Sequence, residues 1–168
     1  MTMLHAQPYD LAAAGFYFES AEDYARKAAT LCNTYGQPVE EFEIQFIDGE
    51  RLDAELFETL KVAQSDIGAY FEAALNWSDD RKVRAIIAVG EVGHRFRFGE
   101  GDPDRFDIDL YEIDSLRDLA IQFVDEGLFG DIPEAIENYL DYDAIARDLA
   151  MDYGTVTIAG AYYAYRAA

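Results

Sequence analysis

The chain has 168 residues, 51% of them hydrophobic and 14% aromatic, a composition that builds an ordered core and excludes an acidic disordered tail. Asp and Glu number 34 against 13 Lys and Arg, giving a formal charge of -21 and a pI near 4.1. Such a field repels nucleic acid at long range, argues against direct DNA binding, and draws in a basic partner.

In the opening MTMLHAQPYD no basic stretch leads into an apolar run, and the lone Cys32 cannot close an internal disulfide. The apolar runs are short and broken by charge, so no membrane span is expected and the cytoplasm is the expected location. Residues 1–14 carry no clear element and read as an N-terminal extension. GFYFE at 15–19 then reads as a strand, and Ser20 with Asp23 opens a helix bearing Ala21, Tyr24, Ala25, Ala28 and Leu31, with Gly36 as its stop. EEFEIQF at 40–46 alternates, with Phe42, Ile44 and Phe46 on one face and Glu41, Glu43 and Gln45 on the other, the mark of a half-buried strand.

Leu52, Leu56 and Leu60 predict a short helix, and Ile67, Tyr70, Phe71, Ala74 and Leu75 a second at helical spacing. Ser78 caps a third, whose buried face includes Val83, Ile86 and Ile87. The Gly-rich stretch 90–104 separates two lobes, 15–98 and 99–168. RFDIDLYEI at 105–113 repeats the strand pattern, with Phe106, Ile108 and Leu110 inward and Asp107 and Asp109 outward.

Asp114 or Ser115 caps a helix with Leu116, Leu119, Ala120, Phe123 and Val124 on its core face, ended by Gly127 and Gly130. Pro133 suits the first turn of the next helix. Ile132, Ile136 and Tyr139 share one apolar face and Tyr142, Ile145 and Leu149 another, so the chain breaks near Leu140 and Asp141. TVTIAGAYYAYR closes the chain as a hairpin around Ala159-Gly160. The fold class is α+β, in two small lobes of short strands and helices.

Catalytic parts are missing. Two histidines, His5 and His94, and one cysteine make neither a zinc ligand set nor a Cys-His or Ser-His-Asp spacing. Asp102, Asp104 and Glu112 superficially resemble a calcium loop, but Asp107 stands at the sixth position, where glycine is required. No enzyme activity, cofactor or metal is expected. Arg81, Lys82, Arg84, Arg95 and Arg97 read as cations offsetting nearby carboxylates on a solvated surface.

The acids are the unusual feature. In residues 128–154 Asp131, Glu134, Glu137, Asp141, Asp143, Asp148 and Asp152 face a single cation, Arg147, and like charges three or four apart weaken their own helix. Duplex DNA carries roughly one charge per 1.7 Å of axis, so a surplus of 21 negatives equals the charge on about 36 Å, or about ten base pairs. Alternate strand residues lie about 6.7 Å apart, which spaces Glu41 and Glu43, or Asp107 and Asp109, like successive phosphates on one strand. An ordinary solvated acidic surface has the same composition.

The core IPEAIENYLDYDAIARDL, within residues 126–153, resembles the antirestriction motif of the ArdA family; SLRDLAIQFVDEG and EEFEIQFIDG are also similar to it. The usual family opening, an aromatic-rich strand followed by a YN-and-glycine segment, is replaced here by MTMLHAQPYDLAAAGFYFES. The resemblance implies an elongated acidic homodimer that mimics B-form DNA and occupies the DNA-binding groove of type I restriction-modification enzymes, as such proteins of mobile elements do. The acids matching the motif are Asp131, Glu134, Glu137, Asp141, Asp143 and Asp148, to which residue patterning adds Asp107, Asp109, Glu41 and Glu43. Tyr139, Tyr142 and Ile145 are expected as packing or dimer contacts, and Arg147 as a partner of Asp143. The alternative is an acidic regulatory or assembly module that binds a basic protein without imitating DNA.

Overall fold

The computed structural model describes residues 1–167. Its contacts divide the chain into two compact units, Met1–Arg105 and the remainder from Phe106.

The first unit is built on a three-stranded antiparallel sheet of β1 (Met3–Pro8), β2 (Phe16–Phe18) and β3 (Phe42–Asp48), in the order β2-β1-β3. The middle strand is the stretch that carries no clear sequence signal. Leu4, Ala6 and Pro8 of β1 are buried while its other three residues are not, and Ala6 is opposite Phe16 on one side and Ile44 on the other. Gly15 permits this pairing, because a Cβ there would lie 2.6 Å from the His5 ring and 2.7 Å from the Ala6 carbonyl oxygen.

Four helices follow the pattern of caps and stripes. They are α1 (Ala21–Ala28), α2 (Arg51–Thr59), α3 (Ile67–Asn76) and α4 (Asp79–Ile86), the last running into a π-helical turn at Ile87–Glu91. The Ser20 hydroxyl accepts from the Asp23 N–H (3.1 Å) and that of Ser78 from the Arg81 N–H (3.4 Å), satisfying donors that a helix start leaves orphaned. Helix α1 stops before Leu31, and Gly36 sits instead in a turn where the Asn33 side chain accepts from the Tyr35 and Gln37 N–H groups. In α3 the buried side chains are Ile67, Tyr70 and Ala73, whereas Leu75 is 83% exposed, so the apolar stripe is narrower than predicted.

A chain of ring contacts runs from Phe16, Phe18, Tyr24 and Phe42 under the sheet to Tyr70 and Phe57 among the helices. Two charges share that interior. Asp53 of α2 and Lys82 of α4 are 5% and 4% exposed, and Lys82 Nζ donates to the Asp53 carboxylate (2.6 Å) and the Ala74 carbonyl (2.8 Å). Lys82 is thus not on a solvated face, correcting the expectation for one member of the basic group.

The second unit pairs β4 (Ile108–Glu112), β5 (Gly154–Ile158) and β6 (Ala161–Ala167) as an antiparallel sheet in the order β4-β6-β5. The predicted strand at 105–113 is shorter than its pattern, since Phe106 and Asp107 precede β4. Ala159 (φ 51°) and Gly160 (φ 92°) form the β5–β6 turn with both central residues at positive φ, as a type I′ turn needs. Helix α5 (Leu116–Asp125) is capped by Ser115 and ends in a Schellman motif: Gly127 N–H donates to the Val124 carbonyl and Leu128 N–H to that of Phe123. Its Leu119 and Phe123 pack with Ile113, Tyr153 and Ala164, and Leu149 of α7 (Tyr142–Asp152) lies against this cluster. Between α5 and α7 lies α6, a single turn at Glu134–Glu137; Pro133 precedes it as N-cap rather than entering its first turn.

Candidate functional site

The segment joining α5 to α7 holds its acids outward because it has almost nothing to bury. From Asp131 to Leu140 only Ile132 and Leu140 are half-buried, and successive turns run through Ile136 N–H to the Pro133 carbonyl and Tyr139 N–H to the Ile136 carbonyl (both 2.9 Å). Asp131, Glu134 and Glu137 recur every third residue along it, which spaces neighbouring Cβ atoms about 5–6 Å apart where the backbone is helical. All three are exposed, as is Asp148 on α7, and among the described residues none of the four has an ion-pair partner.

The other predicted acids differ. Asp141 is the N-cap of α7, its carboxylate accepting from the Ala144 N–H (2.9 Å), which holds it at the positive end of the helix. Asp143 pairs with Arg117 of α5 (3.2 Å), and the Arg117 guanidinium lies 5.7 Å from the Tyr142 ring centre. The expected Arg147–Asp143 pair therefore does not form: a cation from the neighbouring helix takes the carboxylate, and Arg147 has no ion-pair partner among the described residues.

Asp109 sits directly opposite Arg166 in the β4–β6 register and accepts two hydrogen bonds from it, at 2.6 and 3.1 Å. That bond raises the Arg166 pKa further, and the guanidinium lies 5.1 Å from the Tyr153 ring. Asp107, just before the strand, is exposed and unpaired among the described residues. Glu41 and Glu43 belong to the first unit, both exposed at the start of β3, with Glu43 accepting a long hydrogen bond from Gln45 (3.4 Å). Among the described residues six of the ten predicted acids, Asp131, Glu134, Glu137, Asp148, Asp107 and Glu41, have no side-chain partner, whereas Asp141, Asp143, Asp109 and Glu43 are engaged.

The aromatic predictions divide too. Tyr142 and Ile145 are half-buried against the unit, whereas Tyr139 is 85% exposed and Ile136 50%, so their expected packing face is bare. Leu128, Phe129 and Met151, which sequence reasoning passed over, are also exposed, at 57%, 54% and 82%. The signal for the first two was present in the sequence: they follow Gly127, beyond the residue that ends α5 and outside its core stripe. Among the described residues no three or more His, Cys, Asp or Glu side chains are grouped so as to hold a metal ion, and no helix is long and apolar enough to cross a membrane.

The model of one protein family, antirestriction protein (ArdA), matches residues 54–164. The chain belongs to the ArdA family. The match spans most of the chain, including α6, α7 and the acids from Asp131 to Asp152, while β1, β2 and β3, with Glu41 and Glu43, lie outside it. Membership makes the chain an antirestriction protein, one that opposes a restriction system. A comparison with curated proteins finds no match.

Proposed function

We propose that this ArdA protein acts as a DNA mimic that competitively occupies the DNA-binding groove of a type I restriction-modification enzyme, making and breaking no bond. The observation that carries the reading is the turn-rich segment from Asp131 to Glu137, whose carboxylates are exposed and have no ion-pair partner among the described residues. Helical acids advance about 5 Å per charge against about 3.4 Å per phosphate on one DNA strand, so acids of several elements must contribute. A groove that binds duplex DNA is lined with Lys and Arg, which make charge-assisted hydrogen bonds to carboxylates as they do to phosphates. Asp131, Glu134, Glu137, Asp148, Asp107 and Glu41 would carry most of that interaction, with Glu43, Asp141, Asp143 and Asp109 adding charge already partly compensated. The exposed Leu128, Phe129, Ile136, Tyr139 and Met151 support a homodimer, because two copies could bury them while a basic groove could not pair with them.

The deciding experiment mixes purified protein with a type I enzyme and follows cleavage and methylation together with binding. Mimicry predicts inhibition without contact between protein and DNA, relieved by added duplex DNA. The same bare apolar residues favour the second reading, an acidic assembly module, for which truncating Tyr139 would abolish binding and duplex DNA would not compete.

A further inference from the structure

The cations outside the acidic segment make an independent feature. On a chain with 34 carboxylates, most arginines and lysines find one: Arg81 pairs with Asp102, which holds the Asp102 carboxyl below its ordinary pKa, and Arg84 lies 3.5 Å from Asp80. Lys61 and Arg97 find none among the described residues, yet both line one cavity of about 360 Å³ in the first unit. Its other walls include Phe96, which is 8% exposed, and the half-buried Phe98. The one acid in the lining, Asp66, is already engaged, its oxygens accepting from the Ala63 N–H (3.0 Å) and the Ser65 hydroxyl (3.3 Å).

Lys61 is also held in an unfavourable backbone. It follows the end of α2 at φ 51°, where Val62 N–H donates to the Phe57 carbonyl and Lys61 N–H to that of Glu58. This is the helix-ending position that glycine fills without strain, and here lysine occupies it. Lys61 also borders a wider groove containing Glu43 and Glu58, and it is within ion-pair distance of neither.

We propose that this cavity binds a small anion of the nucleoside monophosphate class, its phosphate held between Lys61 and Arg97 and its planar base stacked on Phe98. The volume lies within the range of about 300–1,000 Å³ usual for small-ligand sites. Two cations beside an aromatic face supply the charge-assisted donors and the stacking surface that such a ligand uses. The proposal is independent of DNA mimicry and stands or falls separately from it.

Trp77, the only tryptophan, reports on the site because its ring is 5.9 Å from that of Phe98. Its fluorescence is followed while the full chain is titrated with adenosine 5′-monophosphate, inorganic phosphate or adenosine. The expected result is a saturable change with the nucleotide, at lower concentration than with phosphate or adenosine alone. Lys61→Gly should weaken binding by about tenfold or more, the loss of one charge-assisted contact, while unfolding no earlier than the parent chain, and Arg97→Gln should weaken it in the same way. No saturable response, equal affinity for phosphate and nucleotide, or full binding by both variants would overturn the proposal.

Discussion

Helices α2 and α4 and the segment 131–148 are both rich in ionisable side chains, yet the two regions hold them in opposite ways. Between the helices, Asp53 and Lys82 are almost wholly buried and matched one to one, with Tyr70 Oη donating to the Asp53 carbonyl (3.1 Å) beside them. In the segment, Asp131, Glu134, Glu137 and Asp148 are exposed and have no ion-pair partner among the described residues. A buried charge must be paired because desolvation costs several kcal/mol, whereas an exposed unpaired acid contributes nothing to the fold. The buried charges are matched inside the fold, whereas the exposed acids of the segment are those proposed to face a partner.

The sharpest way to break that contrast is to orphan a buried charge. Lys82→Met should destabilise the protein by about 3–5 kcal/mol in denaturant unfolding, and Asp53→Leu in the same chain should recover most of the loss; equal stability of the single variant would show that the pair is not desolvated. A cap lies next in size: Ser115→Ala removes the hydroxyl that accepts from the Asp118 N–H (3.2 Å) and should cost about 1 kcal/mol. Tyr24 has a buried hydroxyl with no hydrogen-bond partner, and burial raises its pKa, so Tyr24→Phe should leave stability unchanged or raise it by up to about 1 kcal/mol. Smallest of all, converting Asp131, Glu134 and Glu137 together to amides should move stability by no more than about 0.5 kcal/mol, measured as a thermal midpoint.

Elements that rest on local chemistry were legible in the sequence. Serines 20, 78 and 115 mark three helix starts, the alternation of Phe42 and Ile44 marks β3, and Ala159-Gly160 marks the hairpin turn. The middle strand of the first sheet was not, because Leu4, Ala6 and Pro8 give it little apolar bulk and its longer pairing is with β3, which follows α1 in the sequence. Lys82 looked like a surface residue, although its place four residues before Ile86 put it on the buried face of α4; its partner is 29 residues away. The same limit hid Arg117 as the partner of Asp143, since that contact requires α5 to pack on α7. Within the acidic segment the carboxylates were readable from sequence, but which of them lack internal partners depends on tertiary contacts.

The central claim is that these unpartnered acids act as phosphates toward a groove. Its most direct test is the salt dependence of binding to a type I restriction-modification enzyme, comparing the parent chain with the chain carrying Asp131→Asn, Glu134→Gln and Glu137→Gln. The account predicts a steep fall of log K with log salt for the parent, a measurably shallower slope for the triple variant, and the same folded stability for both. Identical slopes for the two proteins would contradict it.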